Sequence, residues 1–187
     1  MKSASNSPPE SLIKAIGDSP MPPVEKWNPD YCGEMGLTIK ADGQWIYQGT
    51  PFTHAKMKQL FSRVIKREGE KYYLVTPVEK LGIEVEWQPF TIVDFDWCEG
   101  HKGLQLECLD NCKNKIQIAS PERLILSSFL GQQLPAVLVR RNLYAGFNRS
   151  CYYRLLEQAS IRQDDDTHQV YIRSNGIDFN LGTCQQD

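Results

Sequence analysis

Apolar residues recur along this chain with two periods, and the switches between them predict its elements. Alternation over Leu37-Thr38-Ile39-Lys40 and again over Trp45-Ile46-Tyr47, with Asp42-Gly43 between, predicts a hairpin. From Thr53 the period lengthens. Met57, Leu60, Phe61, Val64 and Ile65 form the stripe of a helix laid on a sheet, so residues 53–67 are expected to be helical. Thr53 is its expected N-cap and Glu68-Gly69-Glu70 its end. Strand patterns return at Tyr72-Tyr73-Leu74-Val75 and at Gly82-Ile83-Glu84-Val85-Glu86. Residues 91–97, 104–109 and 115–119 read as a three-strand meander with polar turns. A short helical turn capped by Ser120 is expected over residues 121–129. Residues 134–146 carry further strand pattern. Tyr152, Leu155, Leu156 and Ala159 then mark a second helix over residues 149–162, capped by Asn148. Gln169-Val170-Tyr171-Ile172 and Gly176-Ile177-Asp178-Phe179 close the series.

The order strand, strand, helix, strand, strand thus occurs twice, around residues 37–86 and 136–181. The expected fold is α+β. It consists of two ββαββ units linked by a β-meander, with residues 1–34 as an N-terminal arm, 35–89 as the first unit and 90–187 as meander plus second unit. Pro8-Pro9 and Gly17 bracket a short helix over residues 11–16, and Pro20-Met21-Pro22-Pro23 forces an extended path. Trp27 and Tyr31 are expected to pin the arm to the body. Clefts at the seam of paired units are common ligand sites.

Composition narrows the function classes. The 187 residues carry a formal charge of -2, which argues against general nucleic-acid binding. Charge is nevertheless segregated. Lys56, Lys58, Arg63, Lys66 and Arg67 form one basic stretch, and Arg123, Arg140, Arg141, Arg149 and Arg154 another. No apolar run approaches the roughly 18 residues of a membrane span, and residues 1–9 lack the apolar block of a secretion signal. The six cysteines are scattered, unlike a disulfide framework, so a cytoplasmic protein is expected.

Several strings resemble one family, bacterial proteins catalogued as domain of unknown function 1285. They are Pro22-Pro23-Val24-Glu25-Lys26-Trp27-Asn28-Pro29, Cys32-Gly33, and Asp42-Gly43-Gln44-Trp45-Ile46-Tyr47-Gln48-Gly49-Thr50-Pro51. Leu60-Phe61-Ser62, Tyr73-Leu74-Val75-Thr76-Pro77-Val78-Glu79-Lys80, Pro89-Phe90, Val139-Arg140 and Asn148-Arg149 continue the match. The resemblance implies a duplicated α+β fold whose C-terminal part is loosely pleckstrin-homology-like. It also implies a ligand at the interface of the units, nucleotide-like in the family's proposed role, and a part in signalling. Trp87 stands where the family usually has Asp, and Asp110-Asn111-Cys112-Lys113 replaces a common Asn-Val-Gly-Asp turn.

Candidate chemistry is sparse. Arg140, Arg149 and Arg123 offer forked donors for an anion, and Arg149 opens a helix whose amides favour one. Thr76, Glu79 and Lys80 are expected to shape a polar wall. The same arginines also suit structural salt bridges with Glu79, Glu122 or the Asp164 cluster, and Thr76–Lys80 also suits a plain turn. Tyr47, Tyr73, Tyr152 and Trp45 suit either a base stack or the core. Cys98, His101, Cys108 and Cys112 resemble a zinc set, but the meander separates Cys98 from Cys108 by on the order of 13 Å, which excludes a common ion. No metal or cofactor is expected. No Gly-x-Ser-x-Gly, phosphate loop or Gly-x-Gly-x-x-Gly is present, and the three histidines lie at a helix start, a turn and an acidic loop. The expected function is therefore a non-catalytic, ligand-binding or signalling protein for a small anionic molecule at the inter-unit interface. A protein-interaction module and an enzyme of unknown class are the alternatives.

Overall fold

The computed structural model describes Lys14, Ile16, residues 21–164 and residues 167–184. Lys14 and Ile16 are helical; the rest of the helix expected over residues 11–16 lies outside the described residues, as do Asp165 and Asp166 of the acidic loop. The chain divides into two compact units, Met1–Glu86 and Trp87–Asp187.

In the first unit, β1 (Tyr31–Ile39), β2 (Trp45–Tyr47) and β3 (Thr50–Pro51) run antiparallel in succession. The Asp42 carboxylate accepts from the Gln44 amide at 2.9 Å and fixes the expected turn. Helix α1 (Ala55–Ser62) leads to β4 (Ile65–Glu68), β5 (Lys71–Val75) and β6 (Lys80–Val85). The sheet order is β3-β2-β1-β6-β5-β4, closed by the parallel pair β1–β6. Helix α1 is shorter than its apolar stripe. The N-cap is His54 rather than Thr53, and Ile65 leaves the helix to pair with Leu74. Val64 and Ile65 are fully buried; Val64 lies in the turn after α1, and Ile65 opens β4, which its β-branched side chain suits. Leu37, Ile39, Trp45, Leu74 and Phe61 complete this core, with Phe52 stacked 6.0 Å from Phe61. Of the preceding arm, Trp27 is tied to the sheet through its carbonyl, whereas Tyr31, expected as a second anchor, is the 53% exposed first residue of β1. Val24 is buried in a 3₁₀ turn, and Lys66 Nζ donates to the Trp27 carbonyl at 3.3 Å.

The second unit opens with the expected meander, β7 (Phe90–Gly100), β8 (Gly103–Asp110) and β9 (Lys115–Gln117). The helical turn over residues 121–129 is confined to a 3₁₀ turn at Pro121–Arg123; the rest is β10 (Leu124–Phe129). Then follow β11 (Gln132–Arg140), β12 (Leu143–Phe147) and helix α2 (Arg149–Leu156). Asn148 caps α2 as expected, its side chain accepting from Cys151 N at 2.7 Å. Three antiparallel strands end the chain: β13 (Ser160–Asp164), β14 (Thr167–Ser174) and β15 (Ile177–Cys184).

The fold is α+β and duplicated, but the duplication is offset from the one expected. The second sheet has the order β10-β11-β12-β7-β8-β9, joined by the parallel pair β12–β7. Numbered from its own first strand, this is the first sheet's order again. The meander is thus half of the second copy, not a linker. Helix α2 and the strands after it are additional. Each helix is followed by three strands, so neither unit is ββαββ. The reason lies at one strand edge. In the first unit β6 takes the free edge of β1, whereas β7 already occupies the matching edge of β12. The strands after α2 therefore form a sheet of their own.

That third sheet buries Val170, Ile172, Phe179 and Leu181, and β15 packs on β10 and β11. Ser174 stitches it to the second sheet. Its wholly buried hydroxyl donates to the Ile118 carbonyl at 2.5 Å and accepts from Leu106 N at 2.9 Å. Replacing Ser174 by Ala leaves a buried amide without its acceptor, which costs about 1–3 kcal/mol. Urea denaturation of Ser174→Ala is expected to show that loss with an unchanged slope, while Ser160→Ala, on exposed β13, leaves the midpoint unmoved.

Candidate functional site

A concavity in the first unit lies on the face of its sheet turned away from α1. Strand alternation puts Lys66 and Glu68 of β4, Lys71 and Tyr73 of β5, and Lys80, Gly82 and Glu84 of β6 on that face. Glu34 of β1 stands opposite Gly82. A groove of about 530 Å³ lies against part of this face, and its lining extends from Tyr31 and Glu34 across Gly82 and Glu84 to Tyr73, Lys71 and Glu70.

The floor exists because residue 82 has no side chain. A Cβ there would fall on the Glu34 carboxylate, so glycine is required for Glu34 to lie over β6. The Tyr31 hydroxyl donates to Glu34 Oε1, and the Tyr31 ring meets Tyr73 edge-on, centroids 6.3 Å apart. That hydrogen bond to a carboxylate raises the phenol's pKa, with smaller upward contributions from burial and the nearby charge. Behind the rings, Lys80 Nζ lies 4.7 Å from the Tyr73 centroid and 2.6 Å from Glu68 Oε2; Lys66 reaches the same carboxylate at 3.1 Å. Glu84 Oε2 accepts from the Thr38 hydroxyl at 3.0 Å.

The second copy shows the same place closed. Gly146 of β12 is the counterpart of Gly82, on the strand of the parallel pair that follows the second hairpin. The Trp87 indole covers it so closely that a Cβ would overlap the ring, and the indole stacks on Phe129 at 5.3 Å. One copy carries a carboxylate and an open groove over its central glycine; the other carries an indole. A different concavity of about 540 Å³ lies in the second unit between Trp97, Leu104, Tyr171 and Ile172, where Trp97 Nε1 donates to Gln158 Oε1 at 2.6 Å.

The residues expected to bind an anion are divided between the units. Thr76 is wholly buried and engaged in the β5–β6 turn, its hydroxyl accepting from Glu79 N at 3.0 Å. Glu79 keeps one buried carboxylate oxygen without a hydrogen-bond partner. Lys80 is paired with Glu68 as described. In the second unit Arg123 donates to the Leu138 carbonyl at 3.3 Å. Arg140 packs its guanidinium 5.1 Å from the Phe90 centroid, and burial, then the neighbouring Arg141, lowers its pKa. Asp110, close enough to oppose that shift, has its own carboxyl pushed up by burial despite hydrogen bonds from Asn114 and Cys112. Arg149 is exposed at the start of α2, 5.6 Å from the Tyr153 ring. Arg140 pairs with Leu143 at the beginning of β12, whereas Arg149 follows the strand's far end. Their backbones are thus separated by more than about 13 Å of strand, and β12 does not bring the two guanidiniums to one point. Cys98 and Cys108 stand opposite Gln105 and Phe95 on the β7–β8 ladder. Among the described residues no group of three or more His, Cys, Asp or Glu is placed to hold a metal.

Residues 22–88 match the domain of unknown function (DUF1285), N-terminal domain, and residues 89–181 the protein of unknown function (DUF1285), C-terminal domain. The chain belongs to the DUF1285 family. A solved DUF1285 family protein from Silicibacter pomeroyi DSS-3 is 33% identical, with 92% of this chain and 94% of that one covered and a TM-score of 0.76. A second, from Shewanella baltica OS155, is 28% identical over 65% of this chain and 91% of that one, with a TM-score of 0.53. No curated protein matches. No helix among the described residues is long and apolar enough to cross a membrane.

Tyr31, Glu34 and Gly82 lay outside the expected site. Tyr31 reads as an arm anchor, and Glu34 as one more surface acid. The available signal was Gly82, an isolated glycine within a strand pattern, which marks close approach of another group.

The Glu68–Lys80 pair behind the groove gives a pH prediction. The hydrogen bond from Lys80, followed by that from Lys66, holds the Glu68 carboxyl below its ordinary value of 4.5. Its contribution to stability is therefore complete above that value and is lost as pH falls through the lower, folded-state pKa. The difference in melting temperature between the natural protein and Glu68→Gln is expected to be constant near pH 7 and to shrink below about pH 4. A difference independent of pH would show that the ion pair contributes nothing.

Proposed function

We propose that this member of the DUF1285 family is a non-catalytic binding protein whose small-molecule site is the groove on the open face of the first unit's sheet. The observation that carries the reading is the contrast between the two copies. The same fold position is closed by an indole in one and left as a lined groove of about 530 Å³ in the other. That volume lies within the range of ordinary small-ligand sites. The lining supports binding rather than group transfer. It includes no histidine, cysteine or serine, and its tyrosine hydroxyl at position 31 is held by Glu34.

The same reading takes the second unit as the loosely pleckstrin-homology-like partner in a cytoplasmic signalling role. A small anion, nucleotide-like among the candidates, remains the second reading. Its support is the exposed Arg149 at the start of α2, where a helix N-terminus also favours an anion. Glu34→Trp tests the leading reading by laying an indole over Gly82 as Trp87 lies over Gly146. Saturation-transfer NMR against a metabolite library of mixed charge is expected to give binders to the natural protein that Glu34→Trp, equally folded by circular dichroism, no longer binds. Binders that persist undiminished in Glu34→Trp, or the lack of any binder, would defeat it.

A further inference from the structure

The groove's lining also specifies a ligand charge, and this inference rests on the binding reading above. Three glutamates, Glu34, Glu70 and Glu84, face one lysine, Lys71, along its rim. Glu70 is already paired with Arg67 at 3.1 Å, which leaves Glu34 and Glu84 as the carboxylates nearest the floor. An anion there would meet like charge on both sides of Gly82.

Two observations independent of the acids point the same way. Tyr31 is 53% exposed and lines the groove. Beside it, a second of the three lining tyrosines already holds a cation: Lys80 Nζ lies 4.7 Å from the Tyr73 centroid. The fold therefore uses an ammonium on a tyrosine ring, backed by a glutamate, as one of its own contacts; Tyr31 with Glu34 and Glu84 brings the same elements into the groove. We propose that the first-unit groove binds an organic ammonium group, seated between the Tyr31 ring and the Glu34 and Glu84 carboxylates over Gly82. A ring face attracts the cation through its quadrupole, and the carboxylates accept from its N–H groups or balance its charge. The Tyr31–Glu34 hydrogen bond fixes both partners before the ligand arrives. The ammonium can belong to a free amine or to a lysine side chain of a peptide.

The test is a titration of the full chain, followed by ¹⁵N–¹H NMR with assigned amides. Putrescine and tetramethylammonium serve as free cations, Nα-acetyl-lysine methylamide as the side-chain source, and AMP and inorganic phosphate as anions. Saturable shifts from at least one cation are expected, centred on the amides of Tyr31, Glu34, Gly82 and Glu84, with affinity falling as salt is added. Glu34→Gln and Glu84→Gln, each close to isosteric, are expected to weaken that cation at least about fivefold while the melting temperature stays within a few degrees. Preference for Nα-acetyl-lysine methylamide over putrescine would assign the peptide source, and the reverse the free amine. If the anions shift these amides and the cations do not, the charge assignment is overturned while the groove survives as a binding site. If neither class shifts them, or Glu34→Gln and Glu84→Gln bind the cation unchanged, the proposal fails.

Discussion

A strand has only two edges, and the architecture follows from how the edges of β1 and β12 are taken. Each six-stranded sheet joins two antiparallel sets through one parallel pair, β1 with β6 and β12 with β7. A parallel pair cannot be closed by a tight turn, so the chain must travel before returning. In the first unit it travels through β2, β3, α1, β4 and β5; in the second through the β7–β11 series. Once β7 lies beside β12, nothing that follows can join that edge. Helix α2 and its three strands consequently make a further layer, tied down by buried apolar side chains and by the Ser174 hydroxyl.

The parallel pair also explains where the groove lies. It brings a residue from the start of one strand over the middle of another, and a glycine at the crossing decides what fits. At Gly82 the covering group is a carboxylate held by a tyrosine; at Gly146 it is a tryptophan stacked on phenylalanine. A duplicated fold has thus kept one position and filled it with opposite chemistry. The charges behind the groove are engaged with one another, Glu68 between Lys66 and Lys80. By contrast, Arg140 and Arg149 stand at opposite ends of β12, and the basic residues that look clustered along the chain are not clustered along the strand.

Much of the fold was legible because it depends on local rules. The Asp42-Gly43 turn, the Asn148 cap and the alternation of β1, β2, β7 and β8 all rest on residues close to one another in the chain. The first helix was overread because Ile65 continues a helical stripe and also begins a strand, and a short apolar stretch fits either period. The register of the duplication was misread because hairpin, helix and strands recur in order, while the true repeat is defined by pairing between strands far apart. The groove was hardly legible at all: Tyr31, Glu34 and Gly82 belong to three different local patterns.

The amino-acid sequence by itself determined the family, the α+β class, the position of most strands and turns, and the absence of any local catalytic signature. Those properties are set by side-chain periodicity, turn chemistry and residue identity, which act within a few positions. The tertiary structure alone decided which strands share an edge, and therefore which half of the chain repeats which. It alone laid a carboxylate over one glycine and an indole over another, because that contact depends on the register of a parallel pair whose members are some 46 residues apart at Thr38 and Glu84.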